Sequence, residues 1–241
     1  MGQKNLIFNN PNQPAERNPS YFFPLNLLLD VNEKANFFEV FKNVYAATIE
    51  NKTSLYSPAS NVAEHFPKTI KQTNDFLKPI NLSVRALTLF VAPETHNINQ
   101  AKSIHVDSVK INGNNTILEA RLSYYEMADA LGVIRWFPQT DNEYSVSSAP
   151  YQPGKYESVA WTLPWMEDLK NNRCSWVDVP DWIFATSTNT PSAILRTNLP
   201  HHVIQGGGRR ITISAQLIFS DSKLAAGTWN HIQQNYYLLS I

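Results

Sequence analysis

The chain has 241 residues with 20 Lys+Arg against 20 Asp+Glu. It is formally neutral and lacks the basic excess that nucleic acid or an anionic membrane surface would demand. Hydrophobic residues at 43% and aromatics at 12% supply a core and exclude wholesale disorder. The lone cysteine, Cys174, excludes an internal disulfide framework.

Residues 1–20 are polar, with Pro11, Pro14 and Pro19, and read as a loose or wrapping arm. They show no apolar signal segment, and no run approaches the ~18 apolar residues of a membrane helix, so the expected compartment is the cytoplasm. Pro24–Asp30 is a short apolar run of strand length. Asn32 then offers a cap to a segment in which Phe37, Phe38, Phe41, Val44 and Tyr45 recur at helical spacing. Pro58 and Pro67 break the chain and leave room for short helices near 62–66 and 70–77. From Asn81 the character changes. Leu82–Val91 is rich in Val, Leu, Thr and Phe and reads as a strand. Further strand-like runs cover 103–109, 116–125, 132–137, 158–163, 175–177, 183–186, 193–196, 202–204 and 210–219. Turns at Asn112-Gly113-Asn114-Asn115, Pro153-Gly154 and Gly206-Gly207-Gly208 separate several of them. Many short strands with such turns imply a sandwich or a closed sheet pair in one domain.

The residues that can do chemistry are few. His105 and Asp107 lie two apart in a strand-like run, so an imidazole and a carboxylate share one face. Pro200-His201-His202 supplies a third ligand, and two histidines with one carboxylate leave positions open for a cosubstrate and oxygen. Of the adjacent histidines only one can serve, because neighbours on a strand face opposite ways. Nine residues on, Arg210 opens a strand in which Thr212 and Ser214 share its face. An arginine beside hydroxyls suits a carboxylate. The other parity, with Arg209 outward and Ile211, Ile213 and Ala215 inward, is the competing arrangement. Arg121, Ser123 and Tyr125 alternate against Leu122 and Tyr124, and alternation alone does not say which set faces inward; Trp136 and Arg135 share the ambiguity. Cys174, among Trp and Asp residues, reads as structural.

The order of His-x-Asp, a long gap, a His, and an Arg followed by hydroxyl residues on a strand resembles the 2-oxoglutarate/Fe(II)-dependent oxygenases. The texture of Ala120–Tyr125, Ile134–Phe137 and Ala193–His201 looks like the branch near the aspartyl/asparaginyl and prolyl hydroxylases. Thr197-Asn198 departs from that branch's Asn-Thr order. The resemblance covers roughly 82–217. It implies a double-stranded β-helix (jelly roll), mainly β with flanking N-terminal helices. Residues 1–80 would be an extension with helices packed on the core, and 81–241 the core. The 94-residue gap from Asp107 to His201 implies an insertion near 138–182. The resemblance further implies a dioxygenase, most simply a hydroxylase, in which His105, Asp107 and His201 bind Fe(II) and are the catalytic set. Arg210 and Ser214 would bind 2-oxoglutarate. The expected partner is a small-molecule or peptidyl substrate, with nucleic acid disfavoured and no membrane. The alternatives are a non-catalytic jelly-roll binding or structural protein, and a cupin-like metalloenzyme that uses no 2-oxoglutarate.

Overall fold

The computed structural model describes residues 4–6, 21–34, 39–40, 42, 62–92, 106–128, 133–136, 158–159, 176–180, 192–199, 201–204 and 210–239. These form mainly antiparallel sheet with few helices. The strands are β1 Lys4–Leu6, β2 Phe22–Leu25, β3 Leu82–Ala92, β4 Val106–Ile111, β5 Asn114–Ile117, β6 Ala120–Ala128, β7 Val133–Trp136, β8 Ser158–Val159, β9 Trp176–Pro180, β10 Ser192–Arg196, β11 His201–Ile204 and β12 Arg210–Phe219. The helices are α1 Pro67–Leu77 and α2 Thr228–Asn235.

Three sheets result. One has five strands in the order β2-β10-β6-β12-β3, one four in the order β1-β9-β7-β11, and one three in the order β5-β4-β8. Among the described residues, only β1 against β9 is parallel. Alternation divides the five-stranded sheet cleanly. On one face Phe23, Leu25, Leu87, Leu89, Leu122, Tyr124, Ile194, Ile213, Ala215 and Leu217 join a single core with Phe66 and Leu77 around α1 and Trp229, Ile232 and Tyr236 around α2. The opposite face carries Phe22, Ala193 and Leu195, which cluster with Ile134 and Trp136 of the four-stranded sheet. The five-stranded sheet is therefore sandwiched, with helices on one side and a second sheet on the other. The three-stranded sheet is anchored separately, where Val109 and Leu118 meet Ile218 and Ala225.

Local chemistry explains the elements. Asn112 and Gly113 both have positive φ, 53° and 85°, the backbone of a two-residue hairpin turn between β4 and β5. Pro67 starts α1 rather than breaking it, since the first helical turn needs no N–H from its leading residue. The residue before the helix, Phe66, offers no side-chain cap. Instead the buried Glu33 carboxylate accepts the Lys68 and Thr69 amides at 2.6 and 2.8 Å. Pro24 sits inside β2, which is tolerable because β2 is a sheet edge.

Several expectations shift. The first apolar strand begins at Phe22 and stops at Leu25. Asp30, not Asn32, caps the following helical turn at 31–34, its Oδ1 accepting the Asn32 and Glu33 amides at 2.9 and 3.3 Å. Within the arm, Lys4–Leu6 is a strand registered against Trp176–Asp178. The run 116–125 belongs to two strands interrupted at Leu118-Glu119. Helix α2 was not expected. Residues 39–40 and 42 are helical, but Phe37, Phe38, Phe41, Val44, Tyr45, the 183–186 run and Cys174 lie outside the described residues. Among the described residues, no helix is long and apolar enough to cross a membrane.

Candidate functional site

Across the sandwich the inner face of the five-stranded sheet changes character. At β2 and β10 it is apolar. At β6 and β12 it becomes polar, with Ser123, Thr212 and Ser214 at 3%, 4% and 2% exposure. Ser123 and Ser214 are cross-strand partners, and the Ser123 hydroxyl donates to Ser214 Oγ at 3.1 Å. The buried Thr212 Oγ1 has no hydrogen-bond partner among the described residues. Leaving a buried hydroxyl unmatched costs about 1–3 kcal/mol, so Thr212 carries hydrogen-bonding capacity that the described residues do not use. Arg210 holds the same strand parity as Thr212 and Ser214 and is paired in backbone with Ala92 and Ala128. Its pairing with β3 is regular through this stretch. For Arg210 and His202 the description extends to the backbone only.

At the edge of this stripe three distant segments are tied together. The Asp107 amide donates to the Thr197 carbonyl at 3.0 Å, and the Leu118 amide donates to the Asp107 carbonyl at 2.9 Å. The Thr197 amide donates to Glu119 O at 3.0 Å, and its hydroxyl donates to Leu118 O at 2.7 Å. This junction joins β4 to the bend before β6 and to the bend between β10 and β11. It therefore sets Asp107, Arg121 and His201 relative to one another.

The side chains follow. Asp107 Oδ2 accepts a short hydrogen bond from Arg121 Nε, within an ion pair in which both side chains are 11% exposed. The other oxygen, Oδ1, faces His201 Nε2 at 3.9 Å. His201 is oriented by its remaining nitrogen, since Nδ1 lies 2.8 Å from the Leu199 carbonyl. A carbonyl only accepts, so Nδ1 carries a proton, and the ring is held with Nε2 directed at the carboxylate. That outer hydrogen bond is also the one that orients a metal-binding imidazole. Directly across the strand pair from His201 is the fully buried Trp136, whose indole N–H donates to Arg196 O at 2.9 Å.

The donor set fits a first-row metal ion. Two donors side by side on such an ion, with bonds of about 2.1 Å, stand about 3.0 Å apart, so the observed 3.9 Å is bridged by one ion only at a wide angle or after the two side chains close by about 1 Å. One carboxylate oxygen and one neutral imidazole nitrogen are also the donor types of a two-His, one-carboxylate centre. Among the described residues no three His, Cys, Asp or Glu side chains converge; His105, the third expected ligand, lies outside them. Of the expected site residues, Asp107 and His201 thus meet, and Ser214 lies buried on the polar stripe. Arg121 and Ser123 lie on the inner face and Leu122 and Tyr124 on the core face, which resolves the ambiguity that alternation left. Sequence reasoning gave Thr197 no role; its only signal was a hydroxyl residue just before Asn198-Leu199-Pro200.

No family model matches the chain, and no curated protein does. Among solved structures it is similar to a non-heme monooxygenase, ThoJ, in its apo form, at 16% identity and a TM-score of 0.43 over 86% of this chain and 77% of that one. It is similar as well to HygX from Streptomyces hygroscopicus with nickel and 2-oxoglutarate bound, at 11% identity and a TM-score of 0.41 over 81% of each chain.

Proposed function

We propose that the chain is an Fe(II)- and 2-oxoglutarate-dependent oxygenase, a hydroxylase in its simplest form, built on a double-stranded β-helix. The observation that carries this reading is the meeting of Asp107 and His201. They stand 94 positions apart in sequence, yet one carboxylate oxygen faces a nitrogen of an imidazole ring oriented by a backbone carbonyl. In this reading His105, Asp107 and His201 hold Fe(II). Bound iron with 2-oxoglutarate supplies oxygen activation coupled to decarboxylation of the cosubstrate to succinate. The chain's own residues bind and orient. Arg210 and Ser214 take the far carboxylate of 2-oxoglutarate, in line with the hydroxyl stripe, and the Trp136 wall excludes water beside His201. The substrate is a small molecule or a peptidyl residue.

A second reading is favoured by one observation. Arg121 already neutralises Asp107, so the cluster also suits a purely structural ion pair in a non-catalytic jelly roll. Anaerobic titration with Fe(II) separates the two. Metal binding is expected in the wild type and lost in His201→Ala, with circular dichroism unchanged, while His202→Ala retains it. Undiminished iron affinity in His201→Ala would remove the proposed centre. Asp107→Ala is the harsher variant, because it removes a nearly buried ion-pair partner of Arg121. A metal-binding protein that gains no thermal stability from 2-oxoglutarate would instead be the cupin-like enzyme.

A further inference from the structure

We infer that Arg121 is a positioning residue that restricts Asp107 to one metal-directed oxygen; this rests on the metal-centre reading above. A carboxylate at a metal site can donate one oxygen or two, and a free one drifts between these modes according to the ion it meets. Here the two oxygens have different surroundings. Oδ2 is engaged by Arg121 Nε, and Oδ1 is the oxygen that faces His201 Nε2 at 3.9 Å. Both partners of the ion pair are nearly buried, so water competes weakly for either.

The backbone makes this division rigid. Arg121 lies on β6 between Leu195 and Gln216 of the adjoining strands, in the middle of the five-stranded sheet. Asp107 lies on the three-stranded sheet. The Asp107–Leu118 and Thr197–Glu119 hydrogen bonds join the two immediately upstream of Arg121. The arginine is therefore held by one sheet and the carboxylate by another, across a tied junction. The planar guanidinium presents its Nε–H along a fixed direction, which a lysine ammonium does not reproduce.

The consequence is selectivity. A carboxylate confined to one oxygen favours a compact ion of strict geometry such as Ni(II). One free to chelate with both favours a larger, oxygen-preferring ion such as Mn(II). Removing the arginine also removes a positive charge, which strengthens binding of every divalent ion alike. The ratio of Ni(II) to Mn(II) affinity cancels that effect and any general loss of stability.

The test is anaerobic titration of the wild type, Arg121→Met and Arg121→Lys with each metal alone, with circular dichroism to score folding. The preference for Ni(II) over Mn(II) should fall about tenfold in Arg121→Met, the scale of outer hydrogen-bond effects at metal sites, and recover part-way in Arg121→Lys. A ratio unchanged within about twofold, in a wild type that binds both metals, overturns the role of Arg121 alone. A wild type that binds neither metal overturns the metal centre and this inference with it. Should Arg121→Met fail to fold, the wild type still decides. Its metal-minus-apo infrared difference spectrum must show the carboxylate stretches of a single-oxygen ligand, and a chelating pattern would refute the inference.

Discussion

Thr197 gives the sharpest test of the junction that assembles the site. It is 3% exposed, and its hydroxyl donates to the Leu118 carbonyl at 2.7 Å while its own amide and carbonyl engage Glu119 and Asp107. Thr197→Val keeps the shape and exchanges the hydroxyl for a methyl. The variant loses one buried hydrogen bond and leaves its acceptor behind, a cost of about 1–3 kcal/mol. For a chain of this size each kcal/mol moves Tm by roughly 2–4 °C. The expected drop is therefore roughly 2–12 °C in a calorimetric or circular dichroism melt. Metal affinity should fall too, by less than about tenfold, because both backbone hydrogen bonds of Thr197 survive. Thr197→Ser keeps the donor and should lie nearer the wild type in both measurements. A Thr197→Val protein that melts with the wild type would refute the claim that this hydroxyl holds the junction.

Other outcomes follow from the same geometry. Glu33→Ala removes the acceptor for two amides at the start of α1 and should cost about 1–2 kcal/mol by chemical denaturation, whereas Glu39→Ala should be nearly silent. Burial pushes the Tyr124 phenol above its ordinary value near 10. Its hydroxyl donates to Thr73 Oγ1, whose own proton is committed to Thr69 O. The unfolded phenol therefore ionises first, and the stability that Tyr124 contributes is complete below about pH 10 and lost as pH rises above it. Tyr124→Phe should cost about 1 kcal/mol near neutrality and should flatten the alkaline decline seen in stability–pH curves. Arg210→Ala should weaken 2-oxoglutarate binding at least ~30-fold, the loss of a partly buried charged pair, and leave metal affinity little changed. Arg209→Ala should be nearly silent, and reversed effects would invert the assigned strand parity.

Much of the fold was legible where one physical cause dominates. β12 was legible as a strand from its run, but alternation left two parities, and it is the helices that draw Ile213, Ala215 and Leu217 into the core while Thr212 and Ser214 face the other way. β3 matched within a residue because its run is long and rich in Leu, Val, Thr and Phe. The run expected at Pro24–Asp30 starts two residues earlier as a strand, because an edge strand can spare the N–H that Pro24 lacks. Helix α2 was missed despite Trp229, Ile232, Tyr236 and Leu239 at helical spacing. Its Asn- and Gln-rich face carries weak propensity, and Gly227 before it lacks a capping side chain. The Asp107–His201 pair was half legible. Residue type and order picked out Asp107 and His201, but the engagement of Arg121 with Asp107 depends on which face of β6 turns inward. That choice was made by the helices burying Leu122 and Tyr124, a tertiary effect with no local signal.

The central claim is that this site holds iron and 2-oxoglutarate together. The direct measurement is the visible absorption of the anaerobic protein with Fe(II) before and after addition of 2-oxoglutarate. A weak metal-to-ligand charge-transfer band should appear in the wild type and persist in His202→Ala. It should be absent from His201→Ala. A wild-type protein that binds Fe(II) but gives no band at saturating 2-oxoglutarate, or a band that survives in His201→Ala, would contradict the account.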